Sequence, residues 1–374
     1  MKIAIDASRA VNEKAGIGRY SRELIKKLIE IDKENQYLLL FSYWRKDPKK
    51  EKLIRQFARE KVEIKTFRLP GLFKEKVWGI KVPWFGNLLE GVDLFYAPSF
   101  WEVNLGLRIP QVVTIYDLTT FLFPEHRGVS VSEKLNQRTK DACQKAQKII
   151  AISKSTEKDL KRFVKVPESK IEVIYPGRND LGIPAKNLPS NLKKQAYILT
   201  VGTIEPRKNL IGLFKAYALL PLSLQEQYPL VVVGAEGWHT GEIYDSFLQL
   251  RLADKVKFLG YVSEAVLAKL YQEAAVFIYP SLYEGFGFPV LEALSFGLPV
   301  ITANTSSLPE VAGKAAWLID PLEPKSIASA LQRLLEHQDE RNKLRKLALK
   351  QAEKFSWEKA AKKTLKVFEE AAHG

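Results

Sequence analysis

Residues 279–297 read YPSLYEGFGFPVLEALSFG, and this stretch decides the fold. The run VFIYP that leads into it is apolar, β-branched and aromatic, which predicts a buried strand; Pro289 fits the first turn of a following helix and Gly297 fits its end. A strand, a glycine-rich turn and a helix N-terminus together present backbone N–H groups and the positive end of a helix dipole, which suits phosphate. Glu284 lies on the predicted loop and Glu292 in the predicted first turn. Because a carboxylate accepts several hydroxyl hydrogen bonds, the pair indicates a ligand that carries both phosphate and sugar hydroxyls.

A plainer interpretation of the same residues is open on spacing alone. Gly285 and Gly287 would then only turn the chain, and the two glutamates would be solvated acids at a helix start, where the dipole favours them. The whole segment EGFGFPVLEALSFGLPVI, however, resembles the E-x7-E signature of the family 4 retaining glycosyltransferases. The resemblance implies that Glu284 faces the transferred sugar, that Glu292 binds the nucleotide ribose, and that Gly285, Phe286 and Gly287 line the donor site.

Length and composition set the class of protein. A chain of 374 residues with 46% hydrophobic residues predicts two globular domains. No apolar run is long enough to cross a bilayer and the start MKIAIDASRA has no signal-peptide pattern, so we expect a cytoplasmic protein, with the inner face of the membrane as a candidate location. The single cysteine, Cys143, and the four histidines show no cluster, which disfavours a disulfide and a zinc site.

The positive charge is concentrated in the first half of the chain. The net charge is +15, and residues 1–180 hold 35 Lys and Arg against 23 Asp and Glu. Segments 44–55 and 72–85 mix cations with Trp and Phe, which suits an anionic membrane surface or a charged lipid carrier, although an ordinary solvated face explains them equally well. Nucleic acid is disfavoured because no helix-turn-helix, RNA-recognition or zinc-finger pattern accompanies the charge.

Strand-like and helix-like segments alternate along the chain. This alternation predicts an α/β protein with two doubly wound parallel sheets, a first domain over 1–180 and a second over 190–355, separated by a stretch rich in Pro, Asn and Gly. The tail, 355–372, reads as an amphipathic helix. Resemblance to the GT-B architecture of the family implies two Rossmann-like domains facing a central cleft, with a C-terminal helix over about 356–374 that packs back on the first domain. The predicted strands are 2–6, 36–42, 62–67, 93–96, 110–115, 147–151, 171–174, 197–201, 229–233, 256–258, 275–279, 299–302 and 315–318, and the predicted helices include 18–31, 130–146 and 154–163.

Two adjacent cations follow the strand YILTVG. Arg207 and Lys208, in TIEPRKNL, stand where a strand ends and a helix begins, so they could neutralise a diphosphate, although surface cations are also common. The segment resembles the family's phosphate-binding motif, which implies that both residues contact the donor diphosphate and act in catalysis. Many members have an arginine directly after the strand glycine. Here Thr203 follows Gly202, so the division of labour between the two cations is open.

The first domain has its own candidates. Gly16 and Gly18 precede a helix, but no third glycine and no acidic residue at the next strand end complete a dinucleotide fingerprint. The loop resembles the family's mobile GxGRY loop, which implies contact with the sugar and the acceptor near the donor phosphate. Asp117 follows strand 110–115 and corresponds to an aspartate that shapes the acceptor site in the family. Tyr116 stands where relatives often have a histidine and is a candidate sugar contact.

Weaker candidates in the second domain follow other strands. Gly234 ends the run VVVG, and Tyr261, Val262 and Leu267 come from LGYVSEAVLAKLY. From the residues alone these are turn and core positions. The resemblance implies that Gly234 faces the donor and that the other three frame the nucleobase.

The predicted function is that of a retaining glycosyltransferase. It would move a hexose, with mannose from GDP-mannose preferred, to a saccharide or lipid-linked saccharide acceptor in surface-glycan synthesis. The nucleotide sugar is a co-substrate; no cofactor and no metal are expected, since no DxD pair stands in a suitable loop. The alternatives are a related nucleotide-sugar epimerase or hydrolase, and a non-catalytic nucleotide-sugar-binding module.

Overall fold

A computed structural model describes residues 1–13, 16–45, 47–68, 89–104, 106–189 and 192–373. Predicted segment 72–85 lies outside the described residues. The chain divides into two compact units, which we call unit 1 (Met1–Gly177 with Ser356–Gly374) and unit 2 (Arg178–Phe355). Each unit is built on one parallel sheet with helices along the chain between its strands, so the predicted fold class is confirmed.

Unit 1 contains a seven-stranded parallel sheet in the order β3-β2-β1-β4-β5-β6-β7. Its five inner strands are mostly apolar and buried, as expected for a parallel sheet covered on both faces, whereas the two edge strands are partly exposed. The strands are Lys2–Asp6 (β1), Gln36–Ser42 (β2), Val62–Phe67 (β3), Leu94–Ala97 (β4), Gln111–Ile115 (β5), Lys148–Ala151 (β6) and Ile171–Val173 (β7). The helices that follow them are Ser8–Asn12 (α1), Ile17–Ile31 (α2), Pro48–Arg55 (α3), Thr119–Leu122 (α4), Val129–Lys145 (α5) and Lys154–Asp159 (α6).

Unit 2 contains a six-stranded parallel sheet in the order β10-β9-β8-β11-β12-β13. Its strands are Ile198–Val201 (β8), Leu230–Val233 (β9), Val256–Gly260 (β10), Val276–Tyr279 (β11), Val300–Ala303 (β12) and Ala316–Ile319 (β13). Its helices are Leu210–Ala218 (α7), Leu222–Gln227 (α8), Gly241–Gln249 (α9), Glu264–Glu273 (α10), Phe288–Ser295 (α11), Leu308–Ala312 (α12), Pro324–Glu336 (α13) and Gln338–Ala352 (α14). All thirteen predicted strands lie within two residues of these bounds.

The last helix, Trp357–His373 (α15), belongs to unit 1. Phe368 is fully buried and its ring centroid lies 5.1 Å from that of Tyr96 on β4. Lys148, at the start of β6, forms an ion pair of 3.0 Å with Glu370. The apolar face that the sequence predicts for this tail is therefore the face that covers the sheet of unit 1.

Candidate active site

The central strands of unit 2 carry the residues of the candidate site. Strands β8 and β11 are neighbours and parallel, so their carboxyl ends lie at the same edge of the sheet. Lys208 follows β8 and Glu284 follows β11. Asn209 directly follows Lys208, adopts a left-handed conformation with φ 56° and caps α7. Its Nδ2 donates to the carbonyl of Pro280, in the loop after β11, at 3.2 Å. The turn after β8 is thereby tied to the loop after β11.

Glu284 is the centre of this site and is 8% exposed. Its Oε1 accepts hydrogen bonds from Lys208 Nζ at 2.6 Å, Ser281 Oγ at 2.7 Å and the Tyr279 hydroxyl at 2.9 Å. Its Oε2 lies 2.9 Å from Arg207 Nη1. Among the described residues Oε2 has this one close donor, so it is the carboxylate oxygen that can accept a further hydrogen bond from a ligand hydroxyl.

Arg207 is held by a second carboxylate. Its Nη2 donates to Glu205 Oε1 at 2.5 Å, and Glu205 is 2% exposed. Its Nη1 also donates to the backbone carbonyl of Tyr283 at 2.7 Å. The guanidinium therefore bridges Glu205 and Glu284, and its planar fork is fixed in one orientation.

The charges of this group shift one another's pKa values. Burial alone would raise the pKa of Glu284, but the neighbouring cations Arg207 and Lys208 outweigh it and hold the pKa at about 2. Burial lowers the pKa of Lys208, an effect that Glu284 opposes. Burial and the Glu284 charge raise the pKa of Tyr279 well above its ordinary value, so Tyr279 is a neutral donor to the carboxylate. The site thus holds an ionised glutamate beside two cations.

Glu292 is the fifth residue of α11, which begins at Phe288, so it opens the second turn and lies one residue beyond the predicted first turn. It is 6% exposed. Its Oε1 accepts from Asn179 Nδ2 at 2.9 Å and its Oε2 accepts from the Tyr271 hydroxyl at 3.2 Å. Its ribose-binding role stays a prediction, and a ribose would have to share oxygens that already accept hydrogen bonds.

The glycine-rich loop precedes α11 as predicted. Gly287 is the N-cap of that helix and has φ 100°, a conformation that favours glycine; a Cβ there would lie 2.7 Å from Leu308. Phe286 is buried, with its ring 5.2 Å from that of Phe288 and 5.6 Å from that of Phe355. The aromatic ring of Phe286 anchors the loop. The role of Gly285 in the donor site stays a prediction.

The weaker candidates of unit 2 follow their predicted strands. Gly234 lies directly after β9, where a Cβ would come 1.9 Å from the carbonyl oxygen of Gly202, so close backbone packing explains this glycine. Tyr261 and Val262 form the loop after β10, with Tyr261 67% exposed. Leu267 lies on α10 and is half-buried. Their predicted contacts with the nucleobase stay predictions.

The candidates of unit 1 lie at the carboxyl ends of β1 and β5. Gly16 is the N-cap of α2 with φ 55°. Gly18 is inside that helix, and a Cβ there would lie 2.3 Å from the carbonyl oxygen of Glu13, so close packing explains it. Asp117 is exposed and its Oδ1 accepts from the Thr119 backbone N–H at 2.9 Å. The predicted substrate contacts of these three residues stay predictions.

Sequence reasoning overlooked Glu205, Tyr279 and Ser281. Glu205 lies in the same motif as Arg207, and Ser281 lies in the same motif as Glu284. The carboxyl and hydroxyl groups next to these predicted residues were the only sequence features that could have indicated them. Tyr279 ends a predicted apolar strand, and nothing in the sequence marks it as a polar residue of the site. Three of the donors and acceptors that organise the site are therefore neighbours of the predicted residues.

These features define the class: two doubly wound parallel-sheet units of GT-B type, the second with paired cations and a carboxylate at its strand ends. Comparison with known proteins gives the family. The model of the glycosyl transferases group 1 matches residues 185–351, and the model of glycosyltransferase family 4 matches residues 15–180. The O-antigen chain mannosyltransferase B of Escherichia coli is 30% identical over 94% of this chain and 95% of its own. The chain belongs to this family of glycosyltransferases.

Two further proteins are similar to this chain. The O-antigen chain mannosyltransferase RfbU of Salmonella typhimurium is 28% identical over 60% of each chain. The sucrose-phosphate synthase of Thermosynechococcus elongatus has a TM-score of 0.76 at 21% identity, covers 99% of this chain and 98% of its own, and is similar in fold.

Two features are absent from the described ranges. No helix there has the length and apolar character needed to span a membrane. No group of three His, Cys, Asp or Glu side chains in that part of the chain could hold a metal ion.

Proposed function

We propose that this glycosyltransferase moves a hexose from a nucleoside diphosphate sugar to a saccharide or lipid-linked saccharide acceptor of a surface glycan, with retention of anomeric configuration. Mannose from GDP-mannose is the proposed donor. The relatives named as O-antigen mannosyltransferases support the sugar and the acceptor class. We place the reaction on the cytoplasmic side of the membrane.

The observation that carries the proposal is the contact of Lys208 and Arg207 with Glu284 at the carboxyl ends of two neighbouring strands. Negative charge develops on the diphosphate as its bond to the anomeric carbon breaks. Two fixed cations beside the departing phosphate oxygen would stabilise this negative charge. We therefore propose a reaction that needs no metal ion. Glu284 Oε2 would accept a hydrogen bond from a hydroxyl of the transferred sugar.

Retention follows in this proposal from reaction on one face of the sugar. The bond between the anomeric carbon and the phosphate oxygen breaks, the acceptor oxygen forms the new bond on the same face, and the departing phosphate oxygen takes the acceptor proton. No protein base is required for this step.

Radiolabelled GDP-mannose, UDP-glucose and UDP-N-acetylglucosamine, each incubated with and without glycan acceptors in the presence of EDTA, test the proposal. We expect label to enter the acceptor from GDP-mannose, and NMR of the product to show the donor's anomeric configuration. Rapid consumption of donor without acceptor would instead identify an epimerase or hydrolase, and binding without consumption would identify a binding module.

We also propose that unit 1 contacts an anionic membrane through segment 44–55. Trp44 is 59% exposed, and the same segment carries the exposed cations Arg45, Lys49, Lys52 and Arg55. An aromatic ring among cations suits the interface of an anionic bilayer. Sedimentation with phosphatidylglycerol vesicles, but not with phosphatidylcholine vesicles, is the expected result. Equal sedimentation with phosphatidylglycerol vesicles of wild type and of a variant with Lys49, Lys52 and Arg55 changed to Gln would show that this segment does not bind the membrane.

A further inference from the structure

Unit 1 has a charged cluster at the point where the strand order of its sheet reverses. From β1 the order runs outward to β2 and β3, and from β4 it runs outward the other way to β5, β6 and β7. Doubly wound sheets bind ligands outside the carboxyl ends of their strands at such a point. Arg9 follows β1 and Glu102 follows β4, so the two residues stand on the two sides of this reversal.

The cluster consists of one cation and two carboxylates. Arg9 Nε donates to Glu102 Oε1 at 2.8 Å, and Arg9 Nη1 donates to Glu13 Oε1. Ser99 Oγ donates to the other oxygen of Glu102. The exposed fraction of the side chain rises from 5% at Glu102 to 21% at Arg9 and 37% at Glu13. Glu102 is therefore a buried anchor, and Arg9 and Glu13 present polar atoms to solvent.

The neighbouring strand β5 brings Tyr116 to the same cluster. The Tyr116 hydroxyl donates to the carbonyl of Pro98 at 2.8 Å. Pro98, the hydrogen-bond partner of Tyr116, directly precedes Ser99, whose hydroxyl donates to Glu102. The cluster thus collects residues from the carboxyl ends of three adjacent strands.

A contribution to folding stability explains this cluster of charges poorly. A buried ion pair contributes little more to stability than apolar residues of the same size would, because both charges must leave water. The cluster has one positive and two negative groups, in a part of the chain that is otherwise basic. An anionic ligand would be repelled by the carboxylates, whereas a neutral hydroxyl can donate to a carboxylate and accept from the guanidinium.

We propose that Arg9, Glu13 and Glu102 form a binding site for a neutral hexose ring, the terminal sugar of the acceptor. This inference rests on the proposed glycosyl transfer and names the acceptor group that unit 1 binds. Glu102 fixes the guanidinium of Arg9, and the partly exposed Arg9 and Glu13 contact the sugar hydroxyls.

Saturation-transfer difference NMR with methyl α-mannoside, methyl α-glucoside, methyl α-galactoside and mannose 6-phosphate tests the site. We expect wild type to bind at least one neutral glycoside, and mannose 6-phosphate no more tightly than methyl α-mannoside. Glu13→Gln should weaken glycoside binding about tenfold, the loss of one charge-assisted hydrogen bond. Glu23→Gln is the matched control, because Glu23 lies on α2 of the same unit with 35% of its side chain exposed, and it should bind as wild type does.

A second variant removes both members of the Arg9–Glu102 pair, so that the more buried carboxylate of Glu102 is not left without its cation, while Glu13 stays partly exposed to water. Arg9→Gln combined with Glu102→Gln should keep the fold, checked by circular dichroism, and lose glycoside binding. The inference is overturned if wild type binds none of the neutral glycosides, if only the phosphorylated sugar binds, or if Glu13→Gln binds as tightly as Glu23→Gln. Calorimetry with GDP separates this inference from the donor proposal: wild type that binds GDP but none of the neutral glycosides rejects the acceptor site alone, and wild type that binds a glycoside but not GDP rejects the donor site alone.

Discussion

The negative charge of Glu284 is balanced by the cations beside it. Lys208 and Arg207 both contact its carboxylate, and these are the two cations proposed to bind the diphosphate. A diphosphate that reaches them must compete with the carboxylate for the same N–H groups. Glu284 should therefore weaken the binding of a free nucleoside diphosphate. This ligand carries more negative charge than the sugar-bearing donor and has no hexose hydroxyl to donate a hydrogen bond to Oε2.

Changing Glu284→Gln should separate binding from turnover. The neutral amide keeps the shape of the side chain and removes the competing charge, so we expect GDP to bind about tenfold more tightly, the worth of one hydrogen bond between charged groups. The rate of transfer should fall by about a hundredfold or more, because the acceptor for the sugar hydroxyl is weakened. Calorimetry with GDP and a transfer assay measure the two effects.

The control for this change is Glu226→Gln, an exposed glutamate on α8 of the same unit. It should alter neither quantity. Weaker GDP binding in Glu284→Gln than in this control would show that the carboxylate does not compete with the diphosphate.

Sequence could predict the charged residues of this site but not their contacts. Glu284, Arg207 and Lys208 stand in motifs that mark strand ends. Whether a cation points at a phosphate or at a carboxylate depends on side-chain torsions across β8 and β11, which sequence does not encode locally. Glu205 was missed for that reason, since its role exists only through Arg207.

At the scale of elements, the ends of β8 and β9 approach unusually closely. Gly202 N–H donates to Val233 and Gly234 N–H donates to Gly260, so the ladder continues past the strand ends. Gly234 has φ 154°, and a Cβ on it would lie 1.9 Å from the Gly202 oxygen. The turn that carries Arg207 and Lys208 starts at this contact.

We expect Gly234→Ala to force β8 and β9 apart and to lower the free energy of unfolding by about 2–3 kcal/mol, the range for overpacking combined with backbone strain. Gly241→Ala, at the start of α9, is the control because nothing lies within 4 Å of its Cβ position. It should be neutral or slightly stabilising, since alanine favours a helix. Urea denaturation measures both variants, and equal stability of the two would contradict the close contact.

Element boundaries were the part of the fold most accessible to sequence. The strands are short apolar runs bounded by polar and glycine-rich turns, and the same pattern gave both sheets. Glu292 shows where this reasoning stops. Pro289 indicates a helix start but not which residue is first, and α11 begins one residue earlier, at Phe288. Glu292 contacts Asn179 and Tyr271, which lie far from it in the chain, so the local pattern could not predict these contacts.

At the scale of the whole molecule, each unit has its own sheet, and the last helix completes unit 1 although it follows unit 2 in the chain. The sequence showed that this helix is amphipathic. Only the family resemblance indicated which domain this helix covers, because an amphipathic pattern does not specify the surface against which the helix packs.

Phe368→Ala should destabilise unit 1 selectively. The side chain is fully buried, so its loss should cost about 3–5 kcal/mol of unfolding free energy. Hydrogen exchange should quicken in β4 and β5 and stay unchanged in β8 and β11. Lys366→Ala, with 77% of its side chain exposed on the same helix, should change neither set of strands, and equal acceleration in both units would show that they unfold together.

The proposed transfer depends most on the binding of a diphosphate by Lys208 and Arg207 in unit 2. Titration of GDP into the protein in a calorimeter tests this directly, with Lys208→Ala as the site variant and Lys215→Ala, an exposed lysine on α7, as the control. We predict one GDP bound per chain by wild type and by Lys215→Ala, and binding weakened about tenfold or more in Lys208→Ala, since a hydrogen-bonded charge pair is lost. No binding by wild type, or equal binding by Lys208→Ala and wild type, would contradict the account.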